Sequence, residues 1–96
     1  MAVKQIQATI TGKVLGVGFR YFAVHAAQKL EIDGTVRNTA SGDVEVNARG
    51  DEAQLTDFIE QLRQGPSAAE VTDVRIAWVD EESVNKRTGR GFYAVT

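Results

Sequence analysis

Polar and apolar residues alternate along "KQIQATIT" (residues 4–11), with Ile6, Ala8 and Ile10 on one side and Gln5, Gln7 and Thr9 on the other. A period of two predicts a half-buried strand. The period lengthens over residues 20–31, "RYFAVHAAQKLE", where Phe22, Ala23, Ala26, Ala27 and Leu30 make one helical stripe. Asp33-Gly34 is expected to end that helix, and "TVRNT" to begin a second strand. Residues 40–43, "ASGD", have turn chemistry. Alternation returns in "DVEVNAR", with Val44, Val46 and Ala48 on one face. Asp51 suits the N-cap of a second helix, whose buried stripe is Leu55, Phe58, Ile59 and Leu62. Gly65-Pro66 stops it. "EVTDVRIAWVD" predicts a fourth strand with Val74, Ile76 and Trp78 on one face, and Trp78, Phe58 and Phe22 are expected in the core. Residues 80–91 are charged and contain glycine, which predicts a loop. "FYAVT" predicts a short last strand.

The order is β-α-β-β-α-β with one terminal strand. Alternating strands have one buried and one wet face, so both helices belong on one side of a largely antiparallel sheet. The predicted class is α+β, a two-layer sandwich of ferredoxin-like βαββαβ topology with a short extra C-terminal strand. There the first helix is a crossover and strands one and two run parallel. The residues after Thr11 and those around Asn38 then meet at one end of the molecule.

A chain of 96 residues without repeats or linkers is expected to be one domain, residues 1–96. At this size roughly 60–65% of the unfolded surface is buried, enough for a core without staples. There is no cysteine, which excludes disulfides and thiolate metal sites and permits a reducing compartment, so a cytoplasmic location is expected. The N-terminal "MAVKQIQATI" predicts no signal peptide, and no run approaches the roughly 20 apolar residues of a membrane span. The formal net charge of −2 and a pI of about 5.3 give no basic excess for phosphate-backbone binding. No nucleic-acid or membrane partner is expected, and an anion would need a local site rather than the overall field.

That local site is expected at "GKVLGVGFRYF", Gly12–Phe22. Gly16 and Gly18 can take positive φ and carry no Cβ to obstruct a ligand. Successive N–H groups in such a loop hold anions, and the following helix adds its free N–H donors and positive dipole end. Arg20 brings a planar fork that holds two phosphate oxygens at once. Glycines alone would more often mean a plain turn. The P-loop pattern fails because Phe19-Arg20 follows Gly18, and the dinucleotide pattern fails at Tyr21. "GVGFRYF" is faintly like the aromatic motif of RNA-recognition domains, but it precedes the first helix, and the third strand has no aromatics.

Across these residues the sequence resembles the acylphosphatase family, whose loop signature reads Gly-x-Val-Gln-Gly-Val-x-Phe/Tyr-Arg. It stands here as Gly12-Lys13-Val14-Leu15-Gly16-Val17-Gly18-Phe19-Arg20, and the likeness continues in "GTVRN" (34–38), "GDVEVNARG" (42–50) and "LRQGP" (62–66). The resemblance implies hydrolysis of the carboxyl–phosphate bond of small acyl phosphates, releasing inorganic phosphate, without metal or cofactor. It puts the phosphate-binding arginine on Arg20, the phosphate loop on Leu15, Gly16, Val17, Gly18 and Phe19, and the water-positioning asparagine on Asn38. Leu15 departs from the usual glutamine, which removes any hydrogen bond from that side chain. Without the resemblance, Asn38 would be read as a strand-end residue capping a turn.

The remaining chemistry is secondary. His25 is the sole histidine and has no marked cysteine or serine partner. Asp80, Glu81 and Glu82 suggest a cation site but read better as a solvated run. Arg37 is expected on the wet face, and Lys13 near the site without touching substrate. No large pocket for a particular acyl group is legible, so broad selectivity is expected. Nothing requires more than a monomer. A non-catalytic anion-binding module on the same fold is the alternative.

Overall fold

The computed structural model describes residues 3–79 and 90–95. Its elements are β1 (Lys4–Lys13), α1 (Phe19–Lys29), β2 (Asp33–Asn38), β3 (Val44–Gly50), α2 (Glu52–Gln64), β4 (Glu70–Trp78) and β5 (Phe92–Val95). The sheet order is β4-β1-β3-β2-β5. Each neighbouring pair among the first four strands is antiparallel, which leaves β1 and β2 parallel to each other on either side of β3, and β5 adds parallel to β2. This is the expected ferredoxin-like βαββαβ sandwich with a fifth strand. Residues 80–89, including Asp80, Glu81, Glu82 and most of the predicted 80–91 loop, lie outside the described residues.

The alternating residues meet across the strands. Ile6 pairs with Ala48, Ala8 with Val46 and Ile10 with Val44, and all six are buried. Leu55, Phe58 and Leu62 of α2 close over them. The buried stripe of α1 is mostly alanine (Ala23, Ala26, Ala27), so its single bulky anchor is Phe19 at the first turn. Phe22 is half-buried and leans on Phe19 with ring centroids 5.8 Å apart.

Two expectations are corrected. Asp33-Gly34 does not end the first helix. That helix stops at Lys29, the reversal falls on Leu30 and Glu31, and Asp33-Gly34 lies inside β2. The Ile32 N–H donates to the Ala27 carbonyl across the reversal at 2.9 Å, and Glu31 takes a φ of 56°. Gly34 is needed for close approach, since a Cβ there would fall on the Asn47 carbonyl of β3. Trp78 keeps the predicted parity, opposite Ile6, but is 47% exposed. β4 is an edge strand, and burial fades along it from Val74 through Ile76 to Trp78.

Asp33 has a second task. Its Oδ1 accepts the Gly91 N–H at 2.7 Å, the Gly34 N–H donates to the Gly91 carbonyl at 2.9 Å, and Asp33 Oδ2 lies 3.7 Å from the buried Arg49 guanidinium. These contacts pin the start of β5 to β2.

Glu31 and Gly34 make opposite predictions. The left-handed conformation costs a non-glycine residue roughly 1–2 kcal/mol, and glycine gives back about 0.4–1 kcal/mol through the unfolded chain. Glu31→Gly should therefore raise stability by about 0.5–1 kcal/mol in urea unfolding. Gly34→Ala should lower it by at least about 2 kcal/mol, because backbone rather than a side-chain tip blocks the new methyl. A wild-type midpoint for Gly34→Ala would contradict the β2–β3 register.

Candidate active site

The segment joining β1 to α1 is gripped at both ends. Val14 and Phe19 are 1% and 2% exposed, while Leu15, Gly16 and Gly18 between them are open to solvent. Gly16 and Gly18 have φ of 71° and 77°, and Val17 between them is not in the positive region. Alternating the sign of φ turns consecutive N–H groups toward a common concavity, the geometry that holds anions. A Cβ on either glycine would meet nothing within 4 Å. The glycines are thus demanded by backbone angle rather than by a crowding neighbour.

The two helix starts differ. α2 begins at Asp51 and Glu52, and Gln54 Oε1 accepts the Asp51 N–H at 3.4 Å, so its positive end is met by the chain's own acceptors. α1 begins at Gly18, which has no side chain to cap with, and its first turn contains no acidic residue. Its leading N–H groups and dipole are left for an external acceptor.

Arg20 stands in that first turn and Asn38 at the end of β2. Strand register brings the two regions together: Ile10 and Asn38 are both opposite Val44, so the exit of β1 and the end of β2 flank the same end of β3. Gly16, Gly18, Phe19, Arg20 and Asn38 line one cavity of about 610 Å³. Arg20 is the only charged side chain among the described residues lining it. Arg20 and Asn38 are half-buried, and neither side chain makes a hydrogen bond or ion pair with another described residue. The adjoining turn is closed by other groups. The Thr39 N–H donates to the Asp43 carbonyl at 2.8 Å, and the Asp43 N–H donates to Thr39 Oγ1 at 3.1 Å. Turn-capping, the default reading of Asn38, is done by Thr39.

The other expected loop residues do not line the cavity. Leu15 is 43% exposed, and Val17 packs partly against the core. Their side chains leave only main-chain groups to offer. His25 and Lys13 are exposed. Arg37 lies on the wet sheet face, where its Nε and terminal N–H groups donate to Glu45 Oε1 at 3.2 and 3.1 Å.

The sequence did not reveal the rest of the wall. Tyr21, Val24 and Gln28 of α1 and Phe92, Tyr93 and Ala94 of β5 line the cavity as well. One signal was available: Arg20, Val24 and Gln28 recur every four residues and so share a helix face. The β5 side was not readable, because parallel pairing of a strand some 55 residues later leaves no local pattern.

Comparison with known proteins agrees with this architecture. The acylphosphatase family model matches residues 6–92. An acylphosphatase of Acaryochloris marina is 47% identical over 81 residues, 84% of each chain. One from Salinibacter ruber is 42% identical over 77 residues, 80% of this chain and 81% of that one. The crystal structure of acylphosphatase from Bacillus subtilis superposes with a TM-score of 0.88 at 33% identity, covering 97% of this chain and 99% of that one. With the family model spanning nearly the whole chain, from the first strand to the start of the last, the protein belongs to the acylphosphatase family.

Proposed function

We propose that the protein hydrolyses the carboxyl–phosphate bond of small acyl phosphates, with Arg20 and the amides of Leu15–Phe19 holding the phosphoryl group and Asn38 orienting water. One observation carries this reading: two half-buried polar side chains, unengaged by other described residues, face one cavity beside an uncapped helix start.

An acyl phosphate already has a good leaving group. Phosphoryl transfer then needs charge stabilisation and an aligned nucleophile more than covalent participation by the protein. The loop amides and the guanidinium supply fixed donors for the equatorial oxygens, each such donor contributing roughly 2.7–4 kcal/mol to a transition state. Asn38 accepts from water through its carbonyl and donates through its amide, but it is no base at neutral pH. Water oxygen forms a bond to phosphorus as the phosphorus–acyl oxygen bond breaks. The bonding pair leaves with the carboxylate, and the water proton passes to a phosphoryl oxygen of the substrate itself. The products are a carboxylate and inorganic phosphate, and no metal or organic cofactor takes part.

Benzoyl phosphate should be hydrolysed in excess chelator. Arg20→Gln should lose phosphate binding and lower kcat/KM by about 10³-fold or more, since it removes a charged donor from the transition state. Asn38→Ala should keep the inhibition constant of inorganic phosphate within about threefold and lower kcat by about 10²-fold. Phosphate binding without turnover in the wild type would instead identify a non-catalytic anion-binding module.

Leu15 adds a graded test. A glutamine there restores one hydrogen bond to the loop, about 0.5–1.5 kcal/mol. Leu15→Gln should raise kcat by about two- to tenfold, and an unchanged or lower kcat would remove the side chain at this position from the account.

A further inference from the structure

We propose that the groove between α1 and β5 is the acyl subsite, and that it selects uncharged, apolar acyl groups against those with a second negative charge. The inference rests on the proposed hydrolysis and deepens it. It runs against the broad selectivity expected from the sequence.

The first support is size. A cavity of about 610 Å³ falls within the roughly 300–1,000 Å³ of sites that enclose whole small molecules. A phosphoryl group gripped at the loop with a two-carbon acyl group would leave much of it filled by water. The second is the division of chemistry along it. At one end stand Gly16, Gly18, Arg20 and Asn38. Beyond them α1 presents Val24 one turn after Arg20, and Phe92 and Ala94 come from β5. Phe92 is 2% exposed and meets Phe58 edge-on at 5.6 Å, so this wall is fixed by the core rather than loosely hung.

The third is charge. Arg20 is the only cation among the described residues of the lining, and the phosphoryl group engages it. Gln28, two turns beyond Arg20, is neutral. The Tyr93 hydroxyl already donates to the Arg90 carbonyl at 2.9 Å. A carboxylate at the far end of the acyl group would lie against Val24 and Ala94 with no positive partner among the described residues of the lining. An alkyl chain or ring there gains by leaving water, about fourfold in kcat/KM per methylene buried, from roughly 0.8 kcal/mol each.

Butyryl phosphate and succinyl phosphate have the same carbon count and differ at the far end by a carboxylate. Wild-type kcat/KM should rise from acetyl to butyryl to hexanoyl phosphate, and butyryl should exceed succinyl phosphate by at least about tenfold. Gln28→Lys, an exposed helix position, and Val24→Lys, one turn nearer Arg20, each supply the missing cation. Either should raise the succinyl-to-butyryl ratio by at least about fivefold, with circular dichroism verifying the fold. Equal wild-type efficiency on the two substrates, with a ratio unmoved in both variants, would overturn the subsite and leave the hydrolase standing. Failure of the wild type on all of these substrates would overturn the hydrolase reading itself.

Discussion

The site depends on holding a segment with exposed main chain in one shape. Val14 and Phe19 do this by sinking into the core on either side of Leu15–Gly18. Phe19 matters twice, because the remaining buried surface of α1 is alanine. A fully buried phenylalanine contributes roughly 1.5–3 kcal/mol of transfer free energy. That anchor therefore fixes the start of the helix, the direction of its free N–H groups and the position of Arg20 in one contact. The positive φ values at Gly16 and Gly18 follow, since the chain must leave Val14, expose its amides and re-enter at Phe19 within four intervening residues.

The second constraint is β3. It lies between β1 and β2 and runs antiparallel to both, so Asn38 at the end of β2 is level with Ile10 near the end of β1, at the same end of the sheet. Asn38 and the loop are far apart in sequence but cannot be moved apart without slipping a register in which Val44, Val46 and Ala48 are all buried. A one-residue slip would turn that apolar face to water. The core thus holds the loop and Asn38 together at no separate cost, and the Arg20 and Asn38 side chains remain unengaged by other described residues.

How much of this could be read from the chain depends on the range of the interaction that decides it. Strand faces such as Ile6, Ala8 and Ile10, and the helix stripe of Leu55, Phe58 and Leu62, are written in local periodicity, and they are buried as expected. The loop was legible because positive φ and an arginine at a helix start have local signatures. Asp33-Gly34 misled because the same pair that favours a turn also serves a close backbone approach and a strand anchor, and only Asn47 and Gly91, distant in sequence, distinguish these uses. Trp78 misled because alternation gives the side a residue faces but not whether a helix reaches that far along an edge strand.

The same distinction separates the two ends of the cavity. Its loop end is built by one short segment and the tip of β2, so a motif can encode it. Its other end exists only because β5 returns beside β2, held by the Asp33–Gly91 contacts and by the Phe92–Phe58 packing. Those contacts join residues more than 30 positions apart. A loop motif can therefore stay intact while substitutions on β5 or along the Arg20–Val24–Gln28 face remodel the wall opposite it. The loop end and the β5 end of the cavity reside in separate parts of the chain, and in physical terms one can vary without the other.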